Sequence, residues 1–356
     1  MDAIDINKDE SFKWLRYALN PEADMPHITD LNALMAFAER QALTGLLLPV
    51  EPPENIRKDL LLQWIGKAQL VEHRNRLLNK RVEQLWEILE QEGFRCCLLK
   101  GQGNAIMYPN PLMRCAGDID VWVDADKETV YQYVRRRIPD AEESYKHIHF
   151  PVFDDVPVDV HVTPLRFHNR RNEKELQRWI ELNKDSQFAN RIRLTGGERD
   201  VCVPTAKFNV VYQLGHMFIH IFAEGLGLRQ VVDYYYVLRN LEVSEKEREE
   251  LVGVIKSLGL YRFAKAIMWI ESCALGLPIE FCIVSPDERN GRRLLNDIME
   301  GGNFGKHSQR NKGQGGFYSR GFVKVWLDLK LLSVAPREVT AALLRRMRTA
   351  IRHAVN

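Results

Sequence analysis

The chain has 356 residues, 45% of them hydrophobic and 28% charged, which excludes a disordered polypeptide and allows two or three cores rather than one. Its 50 basic and 48 acidic residues leave a formal charge of +2, without the basic excess of a nucleic-acid binder, so nucleic acid is not an expected partner. Six cysteines with no CxxC pair among them exclude a zinc ribbon and a disulfide framework, and point to reduced thiols and a cytoplasmic setting.

The opening stretch, MDAIDINKDESFKWLRYALN, is acidic and lacks the apolar centre of a signal peptide. No later run reaches the ~20 uninterrupted apolar residues of a membrane span. Residues 1–92 carry apolar side chains at three- and four-residue spacing in FKWLRYAL, TDLNALMAFAERQALTGLLLPV and ENIRKDLLLQWIGKAQLVEHRNRLLNKRVEQLWEILEQEG, so this region is predicted to be helical. Thr29-Asp30 is a candidate N-cap and Gly93 a candidate stop.

From residue 94 the period shortens to two. FRCCLLK (94–100), DIDVWVD (118–124), KHIHFPVF (146–153) and VPVDVHV (156–162) read as strands, the last two joined by Asp154-Asp155 as a hairpin. Helices are predicted at about 102–108 and 127–138. The order β-α-β-α-β-β gives an α/β (α+β) core over 93–200: a small mixed sheet flanked by N-terminal and C-terminal helical regions. After RDVCVPTA (199–206) the chain turns helical again to 356, with an apolar stretch over 206–241 and helices near 244–258, 260–275, 287–299, 320–333 and 336–352. A glycine-rich basic loop (301–321) offers Lys306, Arg310, Lys312 and Arg320 to a phosphate-bearing acceptor, or is a plain surface loop.

Chemistry concentrates in the β-type runs. Residues i and i+2 of a strand share a face, so Asp118 and Asp120 project together. Asp159 and His161 do the same, opposite Val158, Val160 and Val162. An aspartate in a valine-rich strand needs a cation or a hydrogen-bond donor. If the two strands are neighbours, three carboxylates converge, a donor set suited to Mg²⁺. Upstream, LLKGQG places Lys100 and Gly101 where a strand turns into a helix, a place for a phosphate. Arg114, four residues before Asp118, is a candidate cation for a triphosphate.

Other polar residues divide between structural and functional readings. His147 and His149 share a face that reads equally as hairpin surface. His216 and His220 are spaced i, i+4 but lack an HExxH glutamate, which favours packing or pocket lining. Arg229 and Asp233, also i, i+4, read as a buried ion pair or as contacts from helices covering a cleft.

The string LLKG…YP…R…GDIDVWV, then VDVHV, GLGLRQVVDYYYVL and GGNFG, resembles an uncharacterised bacterial nucleotidyltransferase family within the DNA polymerase β-type nucleotidyltransferase superfamily. The resemblance spans about residues 90–310. It implies that Asp118, Asp120 and Asp159 are catalytic and hold two Mg²⁺ ions, and that Lys100, Gly101, Gln102 and Arg114 bind the nucleotide. From the residues themselves, His161, His216, Arg229 and Asp233 are candidate pocket residues. An NTP would donate its nucleoside monophosphate to a hydroxyl of a small molecule, sugar or protein and release pyrophosphate. One departure stands out. The superfamily turn carries a serine, whereas this chain has Gly101-Gln102-Gly103, which slightly favours the alternative of a catalytically inactive binding module on the same fold, while the set of three carboxylates favours the enzyme.

Overall fold

Two short helices begin on carboxylates that satisfy their first N–H groups. In the structure, a computed structural model describing residues 5–20, 22, 24–49, 57–139, 147–303, 325 and 328–355, α1 (Glu10–Leu19) is capped by Asp9 and α2 (Leu31–Arg40) by Asp30. The apolar spacing of residues 29–50 continues past Arg40, but the helix does not. Ala42 takes a φ of 54°, and the indole N–H groups of Trp14 and Trp64 donate to the carbonyls of Leu47 and Thr44 at 2.9 and 2.8 Å. Tertiary donors thus take carbonyls that a longer helix would have used internally.

The next helix, α3 (Lys58–Gln91), runs unbroken for 34 residues. It stops as the sequence predicts. Gly93 adopts a φ of 80°, and the N–H groups of Gly93 and Phe94 return to the carbonyls of Glu90 and Leu89, a Schellman closure.

Four strands follow: β1 (Cys96–Leu99), β2 (Ile119–Val123), β3 (Ile148–His149) and β4 (Val158–His161). Their spatial order is β1-β2-β4-β3. β1 runs antiparallel to β2, β3 antiparallel to β4, and β2 parallel to β4. A parallel pair needs a crossover, which here includes α5 (Lys127–Arg137). A short helix, α4 (Gly101–Ala105), and a 3₁₀ turn (Pro111–Met113) lie between β1 and β2. Both sheet faces are covered. Leu98, Val121 and Val160 pack with Leu78, Val82 and Trp86 of α3 and with Val130 and Val134 of α5. Cys97, Leu99 and Trp122 face the other way, into the cluster that holds the C-terminal helices.

Three elements differ from the sequence reading. Helix α6 (Arg170–Gln187) and a hairpin of β5 (Arg191–Arg193) with β6 (Asp200–Cys202) occupy residues without a clear apolar period. The buried apolar side chains of α6 are only Leu176 and Ile180, so its stripe is narrow. The stretch 206–241 splits into α7 (Ala206–His220) and α8 (Leu228–Arg239), broken where Gly225 takes a φ of 107°. Beyond lie α9 (Glu245–Ser257), α10 (Tyr261–Trp269) with a π-turn at Ile270–Ala274, α11 (Glu288–Gly301) and α12 (Pro336–Val355). Lys306, Arg310, Lys312, Arg320 and much of the helix read near 320–333 lie outside the described residues. Helices α1 and α2 share one apolar cluster with α7, α8, α10 and α11. Among the described residues no helix is long and apolar enough to cross a membrane.

A methyl group added at Gly93 meets nothing within 4 Å, so Gly93→Ala isolates the backbone term. Urea unfolding should show a loss of about 1 kcal/mol; an unchanged midpoint would mean the helix end is not held in the left-handed conformation.

Candidate active site

The parallel register of β2 and β4 sets Asp120 directly beside Asp159. Asp118 stands just before β2, and one carboxylate oxygen from each of the three lies within 4.8 Å of the other two. Exposure is graded across them: Asp118 is exposed, Asp159 half-buried and Asp120 buried.

Both oxygens of the buried Asp120 are engaged. Lys100 Nζ lies 2.9 Å from Oδ2 and His161 Nε2 lies 2.8 Å from Oδ1. The register explains Lys100, because Leu99 pairs with Asp120 and the lysine follows it. Its backbone is strained, with a φ of 53° and a ψ of −143°, and Gly101 next to it has a φ of 41°. A non-glycine residue held there costs about 1–3 kcal/mol, and such strain collects at functional sites. His161 shares the strand face of Asp159, as its spacing predicts. On the far side, His149 Nδ1 and His147 Nε2 approach Asp159 at 3.3 and 3.5 Å. His149 of the short strand and His147 just before it therefore turn toward the carboxylates rather than form plain hairpin surface.

These contacts set the charge states. Burial pushes Asp120 up, but Lys100 and His161 together outweigh it and hold the carboxyl well below its ordinary range. Asp118 moves the other way, raised above all by repulsion from Asp120. Two neighbouring carboxylates that resist shared ionisation favour a cation between them.

The segment from Tyr108 to Gly117 is held from two sides. Asn75 of α3 donates to the carbonyls of Leu112 and Arg114, each at 2.7 Å, and Arg74 donates to Gly117 O at 3.3 Å. From α8, Asp233 receives Arg114 Nε and Nη2, both at 2.7 Å, and the Tyr108 hydroxyl at 2.6 Å. Arg229 donates to Cys115 O at 2.8 Å. Arg114 and Asp233 are each 5% exposed at the side chain, so this is a desolvated, bidentate pair.

Those contacts show where several residues singled out in the sequence sit. Arg114, expected at a triphosphate, is taken up by Asp233. Arg229 and Asp233 both grip the segment before Asp118, Arg229 through the Cys115 carbonyl and Asp233 through Arg114. Gln102, expected at the nucleotide, turns into the protein and donates to Asn79 of α3 at 2.6 Å. The turn thus presents no side-chain hydroxyl and a buried amide. His216 does reach the site, with Nε2 3.0 Å from Lys100 Nζ. Asn75, Asn79 and Tyr108 were not singled out from the sequence. Two asparagines at i, i+4 on the apolar stripe of α3 are the signal that could have found the first two.

The donor set suits a hard divalent cation. Asp118, Asp120 and Asp159 offer carboxylate oxygens, and a carboxylate oxygen has two lone pairs. The single hydrogen bond on each Asp120 oxygen therefore leaves room for ligation. The imidazoles at Asp120 and Asp159 are placed as outer partners that orient ligating carboxylates.

A family profile described as uncharacterised nucleotidyltransferase matches residues 28–276. Among solved structures, the chain is similar to an antigenic nucleotidyltransferase-like protein from Paracoccidioides brasiliensis. The two are 13% identical, the match covers 56% of this chain and 92% of that one, and the TM-score is 0.33. No curated protein sequence matches.

Removing one partner of a buried ion pair leaves the other charge without compensation. Asp233→Ala should therefore cost about 3–5 kcal/mol in urea unfolding, and a loss below about 1 kcal/mol would show that the pair is not closed. Asp118 carries the opposite sign. Its raised folded pKa makes ionised Asp118 a cost at neutral pH, a cost removed as pH falls through that pKa. In chelator, Asp118→Asn should melt higher than wild type at pH 7, with the gap closing in acid; a lower melting point at pH 7 would contradict the repulsion.

Proposed function

The chain belongs to a family of uncharacterised nucleotidyltransferases, and we propose that it transfers a nucleoside monophosphate from an NTP to a hydroxyl group with release of pyrophosphate. The observation that carries this reading is the β2–β4 register, which sets Asp120 against Asp159 and gathers three carboxylates. Asp118, Asp120 and Asp159 would hold Mg²⁺, with two ions expected by resemblance to the DNA polymerase β-type superfamily. The metal would supply charge neutralisation on the phosphates and a more acidic acceptor hydroxyl.

The chain's own groups have separable roles. Asp159, with His147 and His149 against its oxygens, takes the proton of the acceptor hydroxyl. The acceptor oxygen bonds to the α-phosphorus, and the bond from that phosphorus to the bridging oxygen of pyrophosphate breaks. Lys100 brings a fixed positive charge to the carboxylates from a strained backbone that positions it. His161 holds the Asp120 carboxylate in orientation. Catalysis of this kind rests on positioning and electrostatics.

The acceptor reading stays broad: a small molecule, a sugar or a protein. A cytoplasmic setting fits the six free cysteines. We also divide the chain into three regions: a helical region to about residue 92, the nucleotidyltransferase core to about 200, and a helical domain beyond. A second reading, a catalytically inactive binding module, is favoured by one observation. The turn after Lys100 carries Gln102 pointed at Asn79 rather than a hydroxyl at its mouth.

Thermal shift with ATP, GTP, CTP and UTP, with and without Mg²⁺, tests the site, and α-³²P-labelled NTP then tests transfer. The wild type should be stabilised by at least one NTP only with Mg²⁺, and Asp118→Ala with Asp120→Ala should lose that shift. Transfer should fall in the double variant by at least about 10³-fold, several kcal/mol of transition-state stabilisation. A Mg²⁺-dependent nucleotide shift without label transfer to any acceptor class would favour the binding module. Undiminished transfer in the double variant would remove the carboxylates from the chemistry.

A further inference from the structure

We infer that Arg74 of α3 is a positioning residue for Asp118, its guanidinium closing the rung of the β2–β4 pair that Pro157 leaves without a donor. The inference rests on the nucleotidyl-transfer reading in one respect, that Asp118 is a metal ligand.

The backbone ladder between the two strands stops one step short of the mouth of the site. Ile119 pairs with Val158, and the Ile119 N–H donates to the carbonyl of Pro157 at 3.0 Å. Bonds of a parallel pair are evenly spaced, and each strand uses every second residue. The next rung outward would therefore run from the Gly117 N–H to the carbonyl of Asp155, and from the N–H of residue 157 to the carbonyl of Gly117. Residue 157 is a proline, which has no N–H to give. The Gly117 carbonyl thus lacks its ladder donor at the position just before Asp118.

Arg74 takes both carbonyls of that rung. Its Nη1 donates to Asp155 O at 2.6 Å and its Nη2 to Gly117 O at 3.3 Å. A guanidinium presents its N–H groups in a fixed planar fork, so one side chain spans the two chain segments at a set separation. Asp118 then lies between two fixed points, the arginine rung at Gly117 and the backbone rung at Ile119. The neighbouring arginines of α3 engage differently. Arg76 pairs with Glu72 and Arg81 with Asp155, whereas the contacts of Arg74 among the described residues are to the two carbonyls.

The charge of Arg74 and its fork have opposite consequences for a metal. A cation beside three carboxylates repels a second cation, so removing the charge alone would tighten metal binding. If the fork sets the place of Asp118, removing it weakens binding although a positive charge is lost. Outer partners that hold a ligating group typically count for ~10–100-fold in metal affinity. Arg74 is half-buried and Pro157 exposed, so neither substitution below opens a cavity in the core.

The test is paramagnetic resonance with Mn²⁺ alone, a hard cation that takes the same oxygen ligands as Mg²⁺. It is run on the full chain for wild type, Arg74→Ala, Arg74→Lys, Pro157→Ala and the Arg74→Ala, Pro157→Ala pair, each checked by circular dichroism. Arg74→Ala and Arg74→Lys should bind at least about tenfold more weakly, because lysine keeps the charge but has one nitrogen in place of the fork. Pro157→Ala should bind as wild type does. In the Arg74→Ala background it should recover affinity, because the new N–H at 157 supplies the missing donor to Gly117 O. Should Arg74→Ala fail to fold, Arg74→Lys with and without Pro157→Ala gives the same comparison. Unchanged or tighter binding in Arg74→Ala, full affinity in Arg74→Lys, or a loss that Pro157→Ala leaves undiminished would each overturn the assignment while leaving the three-carboxylate site intact. A wild type that binds no Mn²⁺ would end the metal-site reading and this inference together.

Discussion

The parallel pairing of β2 with β4 is the constraint on which the site depends. Residues of a strand alternate between faces, so a slip of one residue would send Asp120 and His161 into the apolar side and Val121 and Val160 toward the carboxylates. The apolar side is filled by α3 and α5, and burying a charge there without a partner would be prohibitive. The hydrophobic packing of one face therefore enforces the register that gathers acidic groups on the other. Function and stability are coupled through that single pairing.

A second constraint holds the segment that delivers Asp118. This segment crosses between α3 and α8 and makes no ladder of its own until Ile119. Its carbonyls at Leu112, Arg114, Cys115 and Gly117 are met by Asn75, Arg229 and Arg74. The Arg114–Asp233 pair closes it onto α8. A buried ion pair offers modest net stability but strong geometric selection, because either charge alone is costly. Residues 119 positions apart in sequence thus fix where Asp118 stands at the entrance to β2.

Within the site, charge is arranged in sequence: an exposed carboxylate, a buried one, a lysine, then two imidazoles. Asp120 is held ionised by Lys100 and His161, and that fixed negative charge is what raises Asp118. The helices that cover the sheet serve two purposes. Phe208 and Trp122 exclude water at one end of α7, while His216 and His220 keep polar atoms at the other. A low-dielectric wall beside charged groups strengthens the electrostatics that a phosphoryl centre would meet.

Much of this was legible in the residues themselves, because it depends on local period. Alternation marked β1, β2 and β4, and the apolar spacing of α3 together with Gly93 marked a long helix and its end. Spacing within each run also placed Asp118 with Asp120 and Asp159 with His161. Tertiary structure alone decided the rest. Whether β2 and β4 are neighbours is a matter of sheet order, which no local pattern encodes. The protein partners of Arg114, Asp233 and Gln102 could not be read from the sequence, because a polar residue in an apolar run can satisfy its hydrogen bonds with any group that folding brings near. Helix α6 and the β5–β6 hairpin left weak signals, since few of their side chains are apolar and buried. His216 and His220 read as packing or pocket lining on α7 because a helical period says which residues share a face, whereas only the packed sheet shows that this face meets Lys100.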